Sequence, residues 1–389
     1  MGKLARSFLA LLFIMLVAVV SYLFGSMSVP TGISNGDQFF TKLQEIKGVI
    51  DSRYLYEYKE EDLTEGMYKG FVSALNDPYT QYYTTEEYKA MQEETEGVFG
   101  GVGIEVSAMN GKYIEVVAPI KDTPAERAGI KSGDRIFMID GKEYGADMMQ
   151  DAVSVMRGEP GKPVKLTILR NVNGKDEQID FDIIREIINV QSIHAQMLEG
   201  NIGYLRITNF QANTATQFKA AWSALLAQGA KGIVLDLRNN PGGLLDVTIE
   251  IGDLLLPEGD VMKFKYADGT EDSYKSEASM DNTPMVTLIN NGSASASEVL
   301  PGALKDYGRS EIVGMTTFGK GVVQQIVPLK DGSGVKVTMA EFFTPKDNKI
   351  HGVGISPTKE VELPETVTAI GPESLSEDVQ LQEAINLLK

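Results

Sequence analysis

Two stretches of this 389-residue chain hold side chains suited to covalent catalysis. The first, Asn290-Asn291-Gly292-Ser293-Ala294-Ser295-Ala296-Ser297, places three hydroxyls among small residues. The second, Thr317-Phe318-Gly319-Lys320-Gly321, sets one amine between two glycines, so the backbone bends closely around it. A serine hydroxyl becomes a nucleophile when a neighbouring base takes its proton, and a lysine does this only when neutral. Bringing a lysine from about 10.4 to about 7 requires roughly 4.6 kcal/mol of destabilised charge, which burial among apolar groups supplies. Phe318, Val322 and Val323 are candidate walls, and Gln324 can hold the amine without adding a counter-charge. On residue type, Ser293, Ser295 and Ser297 all remain possible nucleophiles. A rival pair, Ser333 and Lys336, has S-x-x-K spacing but sits between a turn and a strand, with no S-D-N or K-T-G after it.

The elements expected around these residues explain how they would be held. Met285–Ile289 reads as a buried strand, and Val299, Leu300, Ala303 and Leu304 repeat at helical spacing over 298–307. The serines therefore fall at a strand-to-helix junction, where backbone N–H groups are free to meet an anion. Ser310–Val313 is a second strand leading to the lysine. Upstream, the apolar strand Gly232–Leu237 meets Arg238-Asn239-Asn240-Pro241-Gly242-Gly243, and a helix over 244–256 follows. That loop offers amides at a helix start, a natural oxyanion site. With IGYLRI and an amphipathic helix over 214–226, the alternation indicates an α/β core.

Ahead of the core, residues 39–91 read as mostly helical: Phe40, Leu43, Ile46, Val49 and Ile50 form one apolar stripe, and Leu63, Met67, Phe71 and Leu75 another. Asn76-Asp77-Pro78 breaks the pattern, and Thr84-Thr85-Glu86-Glu87 starts a new helix. A module over 97–187 opens with Gly100, Gly101 and Gly103 immediately before an alternating strand. Free amides there suit a peptide carboxylate, with the peptide added as an extra strand. A terminal helix is expected over 376–389, with Ser376 as its N-cap.

Composition narrows the function classes. The net charge of −18 without a basic patch argues against nucleic acid. No cysteine is present, which excludes a cysteine nucleophile, disulfides and cysteine zinc sites. The two histidines, His194 and His351, stand in a strand-like run and a loop with no motif around them; no metal or cofactor is expected. Lys3 and Arg6 precede an uncharged apolar run, Phe8–Phe24, which reads as a retained signal anchor or a cleaved signal peptide within residues 1–28. The rest of the chain is expected outside the cytoplasm, on the cell membrane or secreted.

In their order, SASASE, GAL-KD-GR and VG--TFGKG-VQ, together with LDLRNNPGG upstream, resemble the catalytic region of the carboxy-terminal processing proteases, the tail-specific Ser/Lys peptidases of the S41 type. Residues 128–141, with Ala-Gly-x-x-x-Gly-Asp-x-Ile spacing, resemble a PDZ domain, and LNDPYTQYYTTEEY resembles the helical region before it in that family. The resemblance implies an α/β multidomain fold: a helical region at 29–96, a β-rich PDZ domain with two helices at 97–187, and a crotonase- or ClpP-like protease core at 188–389. It implies Ser295 as nucleophile, Lys320 as general base 25 residues on (320 − 295), and Gln324 orienting the lysine. It implies Gly242 or Gly243 and Ala296 as oxyanion amides, and Gly101, Val102, Gly103 and Ile104 as the reader of substrate C-termini. An arginine of the PDZ domain gates such proteases; Arg157 is the candidate, set to hold Gln324 or a nearby carbonyl, though a helix-end cation favoured by the macrodipole is the plain alternative. Thr358 stands where the family usually has aspartate. The expected partners are protein or peptide C-termini, a membrane through the N-terminal segment, and a second copy through the N-terminal helices. A non-catalytic surface scaffold and a hydrolase of cell-wall peptides are the competing readings.

Overall fold

The computed structural model of the chain describes residues 36–108, 111–277, 280–364, 366–367 and 369–389. The expected export segment lies outside those residues, and no helix among them is long and apolar enough to cross a membrane. The chain divides into two units at Thr64/Glu65. In the first, helix α1 (Gly36–Arg53) carries Lys47, whose amine meets Asp51 at 2.9 Å and Glu60 at 3.0 Å. Phe40, Ile46 and Val49 of the expected stripe are exposed. Helix α2 (Glu60–Ser73) opens with three acids, which suit the positive end of a helix.

After a turn with Asn76 at φ 54°, the second unit continues with strand β1 (Gln81–Tyr83) and helix α3 (Thr85–Glu96). The Glu87 amide donates to the Thr84 hydroxyl at 3.2 Å, and the Thr84 amide donates to the Glu87 carboxylate at 2.9 Å. This reciprocal cap closes the helix start expected at Thr84-Thr85-Glu86-Glu87.

Strands β2 (Val98–Gly101), β3 (Ile104–Ser107), β4 (Ile114–Pro119), β5 (Arg135–Ile139), β6 (Lys142–Glu143), β7 (Pro163–Val172), β8 (Lys175–Ile184) and β9 (Glu186–Asn189) build the next module, with helices α4 (Pro124–Ala128) and α5 (Met149–Met156). Five strands pair in the order β3-β4-β5-β7-β8, β6 pairs with β5, and β2 pairs separately with β9. Ile114, Val116, Ile136, Ile139 and Leu166 are fully buried in its core. Strand β3 ends the sheet, so one of its edges is unpaired.

A six-stranded sheet contains β10 (Ile193–Leu198), β11 (Ile202–Ile207), β12 (Gly232–Asp236), β15 (Met285–Ile289), β16 (Glu311–Gly314) and β19 (Lys359–Glu360) in that order, parallel from β11 onward. Every residue of β12 and β15 is buried, as continuous apolar strands in a parallel sheet require. Their alternate side chains feed two cores. Ile233 and Leu235 meet helices α6 (Thr214–Ala227), α7 (Leu245–Leu255) and α8 (Ala296–Asp306) on one face; Val234, Val286 and Leu288 meet helix α9 (Val379–Leu387) on the other. A second, antiparallel sheet contains β1, β13 (Gly259–Tyr266), β14 (Glu271–Ser276), β17 (Val322–Pro328) and β18 (Gly334–Phe343). Helix α9 starts at Val379 with Asp378 as its cap, three residues after the expected start near Ser376. The reason is Arg238, which anchors the Asp378 carboxylate (Nη1 at 2.8 Å).

Candidate active site

Ser295 ends the turn between β15 and α8 and has φ 55° and ψ −118°, a backbone conformation that costs a side chain of this kind energy. Such strain persists where the surroundings over-determine it, and here they do. The Ser295 amide donates to the Glu298 carboxylate at 2.9 Å, and its carbonyl accepts from the Glu298 amide at 2.7 Å. Gly242 packs so closely that a Cβ there would meet the Ser295 Cβ at 2.9 Å. The three serines separate cleanly. Ser293 is buried, and its hydroxyl is spent on the Leu237 carbonyl at 2.9 Å. Ser297 is buried inside α8. Of the three, Ser295 lines the cleft, a volume of about 570 Å³ that it shares with Lys320, Gln324, Gly242 and Gly243.

Glu298 fastens the two candidate stretches together. It is fully buried, and besides the Ser295 amide its carboxylate accepts the amides of Gly319 at 2.7 Å and Lys320 at 2.8 Å and the Thr317 hydroxyl at 2.5 Å. The Phe318 amide also donates to the Ser293 carbonyl at 3.0 Å. From the sequence Glu298 reads as structural or solvated; a buried carboxylate with four donors is structural in the service of the site. The glycines beside the lysine have a physical cause: Gly319 has φ 91°, and a Cβ on Gly321 would meet the His351 amide nitrogen at 2.2 Å.

Burial holds the Lys320 amine below its ordinary value, and the nearby charge of Lys336 adds to this; Glu298 and Asp77 pull the other way. The expected walls are partly replaced. Val322 and Val323 line the cleft, but Phe318 faces solvent, and the ring of Tyr79 stands 5.0 Å from Lys320 Nζ. Gln324 lies in the same cleft, yet its side-chain amide donates to the Val322 carbonyl at 3.1 Å. Lys336, dismissed with its S-x-x-K pattern, also lines the cleft, whereas Ser333 turns its hydroxyl to Asp331 at 2.6 Å. Tyr79 had no sequence signal, and the signal of Lys336 tied it to Ser333 and not to Lys320. His194 is exposed on β10, and the rings of His351 and Tyr79 lie 6.5 Å apart, edge to face.

The two glycines differ in hydrogen bonding. The Gly242 amide donates to Asn240 Oδ1 at 2.9 Å, whereas the Gly243 amide donates to no group among the described residues. Gly243 has φ 140°, and a Cβ there would meet the Phe210 carbonyl oxygen at 2.2 Å. Ala296 opens α8, where the first N–H groups lack intrahelical acceptors. Beneath this loop Arg238 is fully buried between Asp236 (Nη2 at 2.6 Å) and Asp378 (Nη2 at 2.8 Å).

On the PDZ-like module, Gly101 ends the β2–β9 ladder and Ile104 begins the β3–β4 ladder. Between them the amides of Val102 and Gly103 donate to no group among the described residues. All four residues line a small groove of about 120 Å³ with Met156 and Arg157. Arg157 ends α5, lies 4.5 Å over the Phe99 ring and faces Glu93 of α3 at 3.9 Å. The structure does not bring it to Gln324.

Known proteins share this layout. The profile of Peptidase family S41 matches residues 201–361, that of a PDZ domain residues 115–170, and that of the Activating protease CtpB N-terminal domain residues 27–87. The carboxy-terminal processing protease CtpA of Bacillus subtilis is 36% identical over 367 residues, which cover 92% of this chain and 78% of that protein. The carboxy-terminal-processing protease of Bartonella bacilliformis is 40% identical over 323 residues, 81% of this chain and 73% of that one. Among solved structures, the photosystem II D1 C-terminal processing protease superposes with a TM-score of 0.50 at 30% identity, covering 87% of this chain and 89% of that one. The chain belongs to the carboxy-terminal processing proteases of peptidase family S41, serine proteases that carry a PDZ domain.

Proposed function

We propose that the protease works through Ser295 and Lys320. Ser295 Oγ attacks the scissile carbonyl carbon as neutral Lys320 takes the hydroxyl proton. The resulting oxyanion is held by the amides of Gly243 and Ala296. Collapse expels the amine, to which Lys320 returns the proton, and water then cleaves the acyl-enzyme by the same steps. The observation that carries the reading is the left-handed backbone of Ser295 on a strand-to-helix turn, tied through one buried carboxylate to the amide of Lys320. Gln324 acts on the lysine once its bond to Val322 is exchanged.

Residues 97–187 form the PDZ domain in this reading, 188–389 the protease core and 29–96 the N-terminal region. The amides around Gly101, Val102, Gly103 and Ile104 take the carboxylate of a substrate C-terminus, and Arg157 passes occupancy on to the protease. The N-terminal segment exports the chain and holds it at the membrane, and the exposed stripe of α1 pairs with a second copy.

The test is hydrolysis of casein and of a fluorogenic peptide. Ser295→Ala and Lys320→Ala reduce turnover to background, and so does Lys320→Arg, because arginine stays protonated. For the parent enzyme the rate rises with pH through a value below that of a free lysine, about 10.4. Stability carries the same sign. Between the depressed folded value and the unfolded one, the unfolded chain binds the extra proton, so stability rises with pH and Lys320→Met flattens that rise. An active arginine variant would take the lysine out of the mechanism.

A further inference from the structure

Lys320 Nζ makes no hydrogen bond to Ser295 or Gln324 among the described residues; its near neighbour is the face of Tyr79, 5.0 Å from the ring centroid. Tyr79 belongs to the turn between α2 and β1. Asp77 ties this turn down by accepting the Tyr79 amide at 3.0 Å and the Thr80 hydroxyl at 2.6 Å. Beyond it, the Thr338 amide of β18 donates to Thr80 Oγ1 at 3.1 Å, and Gln81, Tyr82 and Tyr83 pair with Lys336, Val335 and Gly334. Tyr83 in turn stands 5.3 Å from the amine of Lys336. One rigid segment thus lays two aromatic rings on the two lysines that line the cleft.

We propose that Tyr79 is a positioning residue for the base: its ring holds the protonated amine of Lys320 and so sets the pH at which the lysine becomes free to accept the proton of Ser295. The inference rests on the reading of Lys320 as base. A ring face attracts a cation and has no comparable attraction for a neutral amine, so the contact favours the resting, protonated state. The other charges around Lys320 are Glu298 from α8 and Asp77 from the same turn, which favour the cation, and Lys336 from β18, which opposes it. Glu94 of α3 and Asp246 of α7 line the same cleft, and the His351 ring lies 6.5 Å from the Tyr79 ring, edge to face. None of these is changed by substitution at Tyr79, so a variant there isolates the ring.

The experiment is the pH profile of kcat/KM, which reports the free enzyme's base. Tyr79→Leu keeps an apolar wall and removes the ring face; its rising limb moves to lower pH by about half to one unit. Tyr79→Phe keeps the limb where it is, and Tyr79→Trp moves it upward. A leucine variant that melts normally and titrates with the parent overturns the proposal. If leucine prevents folding, the tryptophan and phenylalanine variants decide: a common limb for both and the parent overturns it equally. Lys320→Ala separates the two levels of inference. Should that variant still cleave peptide, the base assignment itself has failed; if it is dead while the Tyr79 limbs coincide, only the clamp has.

Discussion

Ser295, the proposed nucleophile, holds a strained backbone. The junction presents the hydroxyl to the cleft because the backbone turns through φ 55°, a region that disfavours any Cβ. Alanine at 295 keeps the Cβ and the strain; glycine relieves it. Elsewhere glycine is the less stable of the two by about 0.5–1 kcal/mol, through its larger unfolded-state entropy. Here the order should invert, with Ser295→Gly more stable than Ser295→Ala by about 1 kcal/mol, both inactive, as read by calorimetry at one pH. An alanine variant that is the more stable would mean the strain is not there. Residue type and neighbours singled out Ser295 and Lys320 as candidates, because small flanking residues and paired glycines record how tightly the backbone is packed. They did not separate Gly242 from Gly243, since only the Asn240 side chain tells which amide is already spent. Tyr79 was illegible for a different reason: it reaches Lys320 through the pairing of β1 with β18, a long-range register.

The strand–loop–helix unit β12, Arg238–Leu244, α7 carries the proposed oxyanion amide at the end of a central strand. The buried arginine beneath it does the anchoring. Burial by itself would push the Asp378 carboxyl up, but the hydrogen bond and charge of Arg238 outweigh this and hold it below the usual carboxylate range. The anchor is therefore intact above the unfolded carboxylate value, about 3.9, and is lost as pH falls through the lower folded one. The loop above it tolerates no side chain at 243, where an added Cβ would lie 2.2 Å from the Phe210 carbonyl oxygen. Gly243→Ala should thus displace the amide and lower kcat by about 10²–10³ with KM nearly unchanged, the signature of a lost oxyanion donor. Steady-state kinetics on one peptide substrate checks it; a proportionate rise in KM with kcat intact would assign the loop to substrate binding instead. The apolar periods located this unit to within a residue or two. They misplaced the start of the terminal helix, because Asp378 is recruited as a cap by an arginine that precedes it by 140 residues.

At the scale of the whole molecule, helix α3 touches both modules of the second unit: Glu93 faces Arg157, and the Glu94 carbonyl accepts from Gln211 Nε2. The strand and helix alternation, the glycines before β3 and the α/β core were all readable, since each follows from local period and turn chemistry. How the modules touch was not, because a contact between two folded surfaces leaves no periodic trace. Arg157 illustrates it: the expectation set it against Gln324, whereas it stacks on Phe99 and faces Glu93, with its Nε buried and unpartnered. Glu94 and Thr95, the next residues of α3, line the cleft of Ser295 and Lys320, and Gln211 Nε2 donates to the Glu94 carbonyl at 3.0 Å. A peptide in the groove that Arg157 lines can therefore press on the cleft through one helix. If this route carries the gate, Arg157→Ala and Glu93→Gln each lower kcat while a peptide with a free carboxylate still binds. The double variant is then no slower than the slower single, because both cut the same link. Additive losses would place the two residues on separate routes, and unchanged kcat in both would leave Arg157 as a helix-end cation stacked on Phe99, with the PDZ domain acting by capture alone.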